Sequence, residues 1–369
     1  MRIKNIALYH QKMPMHCGNT CALTTGVESA DVVVTRIETD TGLVGYGECG
    51  CVAGYPAYAS AIINGSAELI QNHILGKKPL EINTIQQAMS VIPGQSGALK
   101  AGIDIACWDL LGKARQLPLY DLLGGKLQEK VPIYALLSTA SPEEMVESLK
   151  ELREQGQHRF HFRLLHGDIQ AHLARIQAIQ TEMCAKETCN IDFAGTWRLN
   201  EVLQLISQIQ NFKNLTLEQP CWTMRDCLSV AERVTCPVKL DDCLNQVSDV
   251  LTAYSQQACD SIVLHINRFG GITPIRLGRD LATEGDLKIT YSSQWGTEIT
   301  TAAILHLALT TSPKHLLTAI DAHNYSPQKL TVRESIAVEK DQMWFKDNLP
   351  GLSIEVDEHL LGEPIYVIE

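Results

Sequence analysis

The sequence has no Cys-x-x-Cys pair, no apolar run long enough to cross a bilayer, no basic excess and no Gly-x-Gly-x-x-Gly opening a helix after a strand. Each absence excludes something. With 31 Lys+Arg against 42 Asp+Glu, a formal charge of −11, the chain lacks the electrostatic footprint of a general nucleic-acid binder. Apolar runs such as Ser261 to Ile266 are too short for a membrane span, and Met1-Arg2-Ile3-Lys4 leads into a strand pattern instead of a signal-peptide core. A soluble, cytoplasmic protein with no membrane partner is expected. The twelve cysteines are scattered, from Cys17, Cys21, Cys49 and Cys51 through Cys107, Cys184, Cys189, Cys221, Cys227 and Cys236 to Cys243 and Cys259. Without metal-ligand spacing they read as small hydrophobes with free thiols, and none is assigned a catalytic role.

What is present is organised in two parts. Asp31 to Thr39 alternates as a strand, turns at Asp40-Thr41-Gly42 and resumes from Leu43 to Glu48, which is a hairpin signal. Helix-period apolar residues follow from about Ala57 to Ala114, broken near Pro93-Gly94, so the first third is α+β. Gly and Pro punctuation at Leu117-Pro118 and Leu123-Gly124-Gly125 marks a boundary. Beyond it eight short apolar runs alternate with helical segments: Val131 to Leu137, Phe160 to Leu164, Asn190 to Phe193, Leu215 to Glu218, Val238 to Leu240, Ser261 to Ile266, Lys288 to Tyr291 and Leu317 to Ile320. That pattern predicts an α/β fold, a (β/α)8-type (TIM-like) barrel, in preference to a doubly wound open sheet.

Function in such barrels gathers at the C-terminal ends of the strands. The residues there are Arg163, Asp192, Glu218, Asp241, His265 and Ser293-Gln294-Trp295. Asp192, Glu218 and Asp241 end three successive strands and would converge as oxygen ligands for a hard divalent cation such as Mg²⁺; the bland alternative is that each merely caps the next helix. His161 and Arg163, two apart on the second strand, point to one face, where two cations need carboxylates or an anionic ligand. His265, nearly opposite across the barrel, suits a general base or acid, or else is only a hydrogen-bonded histidine.

Together these residues resemble a known family. The helix Gly102-Ile103-Asp104-Ile105-Ala106-Cys107-Trp108-Asp109-Leu110-Leu111-Gly112-Lys113, followed by Pro118 and Leu122-Leu123-Gly124-Gly125, closely resembles the signature of the mandelate racemase and muconate lactonizing group of the enolase superfamily. So do the Thr39 to Glu48 hairpin, Leu217-Glu218-Gln219-Pro220, Gly270-Gly271-Ile272-Thr273, and the tail Pro350-Gly351-Leu352 with Leu361-Gly362-Glu363-Pro364. The strings Glu218-Gln219-Pro220-Cys221 and Trp295 to Ala303 are most similar to the branch of proline-betaine and 4-hydroxyproline-betaine epimerases and cis-3-hydroxyproline dehydratases. The resemblance implies an α+β capping domain over residues 1–125, completed by the tail from about 345 to 369, above a catalytic barrel of residues 126–344. It also implies an essential Mg²⁺ held by Asp192, Glu218 and Asp241, and abstraction of the proton α to a carboxylate through a metal-stabilised enediolate. The substrate would be a small amino-acid, imino-acid or betaine-type carboxylate, and the assembly a homo-oligomer, a dimer or octamer. Tyr55, the Gly50 to Tyr58 loop and the Met13 to Gly26 loop would by resemblance close over the mouth and set specificity.

The departures bear on the reaction. Where the family carries lysines on the second and sixth strands, this chain has Arg163 and His265; Phe193-Ala194 follows Asp192, and Asp242 follows Asp241. A histidine titrates near neutrality with little tuning, whereas arginine is a poor base and a good two-pronged carboxylate clamp. The asymmetry argues for a one-base reaction, such as loss of water, over two-base racemisation or epimerisation. It also leaves open a degenerate member that binds a ligand without the parental catalysis, and a triad whose metal place is taken by the positive charge of His161 and Arg163. Trp295 would suit an ammonium through its ring face, or simply pack at the barrel mouth.

Overall fold

The computed structural model describes residues 1–14, 29–50, 60, 63–64, 67, 70–91, 97–137, 141–209, 213–293, 296–320 and 326–369. Near the N-terminus three antiparallel strands, β1 (Ile3–Pro14), β2 (Ser29–Thr39) and β3 (Val44–Gly50), form one sheet. The predicted hairpin is β2 and β3. Its turn closes where the Gly42 amide donates to the Thr39 carbonyl at 3.0 Å, with Gly42 at φ +80°, a left-handed conformation that glycine adopts without penalty. The Gly45 to Gly50 stretch, although its spacing resembles a phosphate loop, lies within β3. The helix Gly97–Arg115 packs on β3 so closely that a Cβ at Gly47 would stand 1.9 Å from the Gly102 carbonyl oxygen. Only glycine permits that approach.

The barrel follows. After β4 (Val131–Pro132) come eight parallel strands in consecutive order: β5 (Ala135–Leu136), β6 (Arg159–Arg163), β7 (Thr188–Asp192), β8 (Leu215–Glu218), β9 (Val238–Leu240), β10 (Ser261–His265), β11 (Lys288–Ser292) and β12 (Leu316–Ala319). A parallel bridge between Ile133 and Ala319 brings the last strand back beside the first. Each of the eight predicted apolar runs contributes a strand. The connecting helices start where the sequence supplies caps: Ser141 accepts from the Glu144 amide, Asp168 from Ala171 and Thr223 from Asp226. The helix Glu298–Leu309 is buried on every side, its apolar residues together with Glu298, Thr300, Thr301 and His306.

The first run differs from its expected form. Val131 to Leu137 was expected as one strand, but the chain changes sheets inside it. Val131–Pro132 pairs antiparallel with β14 (Gln342–Phe345), itself hairpinned with β13 (Ile336–Glu339), while Ala135–Leu136 pairs with β6. Pro132 has no amide hydrogen with which to continue a ladder, which suits a crossing point. The C-terminal strand β15 (Tyr366–Ile368) pairs with β1, so the N-terminal sheet has the order β15-β1-β2-β3.

Candidate active site

Strand register places the charged residues side by side. Arg163 is the Cα partner of Asp192, Asp192 of Glu218, and Glu218 of Lys239. Neighbours in a parallel ladder share a face, and here that face is the barrel interior. Arg163 Nε donates to Asp192 Oδ2 at 2.7 Å, and the Ala194 amide donates to Oδ1 at 2.8 Å. Burial alone would raise the Asp192 carboxyl, but the guanidinium of Arg163 and the ring of His161 hold it below the usual carboxylate range. His161 Nδ1 takes a hydrogen bond from the Asn190 amide at 2.9 Å and its ring stacks on Tyr134, which leaves the proton on Nε2, 3.7 Å from Asp192.

Glu218 is held twice, by Asn190 Nδ2 at 2.6 Å and by Lys239 Nζ at 3.2 Å, both inside the barrel. Asp241, just past the end of β9, is bonded by Arg268, which also reaches Asp242 Oδ1 at 2.8 Å. Burial pushes the Asp241 carboxyl well above its ordinary range; the charges of Asp242, Glu218 and Asp192 add to that, against Arg268. The three carboxylates named from the sequence thus lie at neighbouring strand ends, each met by a cation: Arg163, Lys239 and Arg268.

His265 ends β10 and is 5% exposed. Burial, reinforced by the Arg268 charge, lowers its pKa well below the usual histidine value, and among the described residues its buried Nδ1 has no hydrogen-bond partner. It is therefore a neutral imidazole at physiological pH. Trp295, Tyr55 and Gln294 lie outside the described residues, as do most of the two loops expected to close the mouth.

Among the described residues no three Asp, Glu, His or Cys side chains stand close enough together to hold a metal ion, because each carboxylate is turned to its own cation. In kind the donors still fit a hard divalent cation: three carboxylates at the ends of adjacent strands, close enough that Glu218 and Asp192 add to the upward push that burial gives the Asp241 carboxyl. Lys239, Asn190 and Arg268 were not among the residues singled out from the sequence. The signal was spacing: Lys239 and Asn190 stand two positions before Asp241 and Asp192, on the same face of their strands.

Comparison with known proteins gives a consistent result. Residues 4–124 match the mandelate racemase/muconate lactonizing enzyme N-terminal domain family, and residues 144–360 match the enolase C-terminal domain-like family. The chain is 32% identical to a cis-3-hydroxy-L-proline dehydratase of Roseibium aggregatum over 99% of each chain. It is 30% identical to a hydrophobic dipeptide epimerase of Enterococcus faecalis, over 74% of this chain and 77% of that one. Among solved structures, an enolase-superfamily member from Roseovarius nubinhibens complexed with magnesium superposes with a TM-score of 0.91 at 29% identity, covering 99% of both chains.

Proposed function

The chain belongs to the mandelate racemase/muconate lactonizing enzyme family of the enolase superfamily, and from that premise we propose that it removes the proton α to the carboxylate of a small hydroxylated amino-acid, imino-acid or betaine-type substrate, with loss of water as the outcome. The observation that carries the reading is the unequal pair across the barrel: His265 buried and neutral, Arg163 charged and tied to Asp192.

A neutral imidazole accepts the α-proton at a ring nitrogen; a guanidinium cannot. With one base available, the electron pair of the broken Cα–H bond forms a Cα–Cβ double bond as the Cβ–O bond breaks. His265, now protonated, returns its proton to the departing hydroxide, which leaves as water. The low-dielectric surroundings that depress its pKa make the imidazolium a ready donor for that second transfer. Arg163, His161 and Asn190 fix Asp192 and Glu218 in place, and Arg268 fixes Asp241.

Asp192, Glu218 and Asp241 would hold Mg²⁺, which supplies positive charge to the substrate carboxylate as negative charge builds on it. The magnesium in the Roseovarius structure and the kind of donors here support this assignment. Within the same reading, residues 1–125 with the tail act as the cap and residues 126–344 as the catalytic barrel, in the cytoplasm, and the chain assembles with copies of itself.

The test is incubation with hydroxylated imino acids, betaines and hydroxy acids in D₂O with Mg²⁺, followed by mass spectrometry. Loss of water from one of them, abolished by His265→Asn, is the expected result. Exchange of the α-proton without dehydration would favour a racemase or epimerase. Neither process with any of these substrates would leave a ligand-binding protein without the family chemistry.

A further inference from the structure

We propose that Glu48 of the N-terminal sheet is a positioning residue, clamping the segment that leaves barrel strand β11 and thereby setting how the mouth of the active site receives substrate. Its side chain is wholly buried and, among the described residues, directs its hydrogen bonds to one stretch of barrel: Oε1 accepts from the Thr297 amide at 2.8 Å and from Thr300 Oγ1 at 2.6 Å, and Oε2 accepts from Thr297 Oγ1. Thr297 and Thr300 are themselves 2% and 1% exposed. The fit is close enough to dictate the preceding residue, since a Cβ at Gly296 would lie 2.8 Å from Glu48 Oε1 and 2.8 Å from Thr300 Cβ.

A buried carboxylate is a costly way to join two units that apolar side chains could join. What it adds is direction: three donors on two residues fix Thr297 against β3, and Thr297 in turn caps the helix Glu298–Leu309. The same end of β3 reaches the neighbouring barrel segment, for the Gly50 carbonyl accepts from Asn267 Nδ2 at 3.5 Å, two residues past His265. Asp104 of the cap helix repeats the device by accepting from the Thr273 amide at 2.9 Å and from Thr273 Oγ1 at 2.6 Å. One rigid unit therefore holds the segments that follow both β10 and β11, the strand ends bearing His265 and Ser292-Ser293.

The effect on substrate rests on the active-site reading above; the clamp itself does not, and the experiment separates them. Hydrogen exchange followed by mass spectrometry on the full chain compares wild type, Glu48→Ala, Glu48→Gln and Gly296→Ala. Glu48→Ala and Gly296→Ala are expected to speed exchange of the Thr297–Thr301 amides by about tenfold or more while peptides from β6–β8 stay protected. Glu48→Gln, which keeps an acceptor for Thr297 and Thr300, is expected to restore protection. With a turned-over substrate, Glu48→Ala raises KM about tenfold and leaves kcat within about twofold, and Glu48→Gln reverses the change. Wild-type protection at Thr297–Thr301 in Glu48→Ala, or loosening spread evenly over the chain in Glu48→Ala and Gly296→Ala, overturns the clamp. Local loosening with KM unchanged overturns its role toward substrate. If no substrate is turned over, the functional reading fails and the exchange data still decide the clamp.

Discussion

Arg163 and Asp192 are Cα partners across the β6–β7 ladder and are joined by a 2.7 Å hydrogen bond from Nε to Oδ2 inside the barrel. Arg163 is partly exposed and Asp192 buried, so removing the guanidinium strips the buried carboxylate of its nearest cation, at a cost of about 3 kcal/mol. Arg163→Met is therefore expected to lower the melting temperature by several degrees, and Arg163→Lys to recover most of the loss. Calorimetric melts of both variants check this; a melt of Arg163→Met unchanged from wild type would show that the pair does not hold Asp192.

Lys239 and Glu218 form a second such pair, at 3.2 Å. In Lys239→Met the glutamate side chain keeps, among the described residues, only Asn190, and the expected loss is again on the order of 3 kcal/mol. Here a metal ion gives the sharper reading. A divalent cation that binds the folded chain at Glu218 stabilises it by mass action and replaces the missing ammonium charge. Millimolar Mg²⁺ should thus raise the melting temperature of Lys239→Met more than that of wild type. Equal shifts in the two proteins would place the ion away from Glu218.

These two pairs also show where the sequence is readable. The eight barrel strands are legible because each is a short apolar run between helices, a property every residue in the run shares. Asp192, Glu218 and Asp241 are legible because a carboxylate at the end of such a run breaks the pattern. Lys239 is hidden because it stands inside a run and shows itself only through its spacing to Asp241. The switch of sheets at Pro132 is equally silent, since its partner Gln342 lies across the whole barrel in sequence. Glu48 is visible only as part of a hairpin; what gives it meaning is Thr297, 249 residues away. Hydropathy and spacing carry local information, whereas a joint between distant segments exists only in the fold.

Burial gives Glu48 a pKa near 7 and Asp104 one near 6, opposed in each case by the threonine donors around it. Both values lie above the ordinary 4.5 and 3.8 of the unfolded chain. The folded protein therefore binds these protons more tightly, and the stability they contribute is complete below about pH 4 and is lost as pH rises toward 7. Glu48→Gln carries no such proton. Urea unfolding should find wild type and Glu48→Gln closely matched near pH 4.5 and the variant ahead near pH 8, by on the order of 3 kcal/mol. A constant difference across that range would mean that Glu48 does not bind a proton on folding.

The final expectation concerns the rate. A general base contributes about 10² to 10⁴ in rate, so His265→Asn should lower kcat about a thousandfold with little change in KM. Because burial and Arg268 hold the imidazole neutral well below the usual histidine pKa, the free enzyme already carries its working base at neutral pH. The acid limb of kcat/KM is therefore expected below the ordinary histidine value of 6.5, with no further gain as pH rises through 7. Arg268→Met removes the repelling cation and moves that limb upward. A limb that stays in place in Arg268→Met, or one that persists in His265→Asn, would assign the titrating base to another residue.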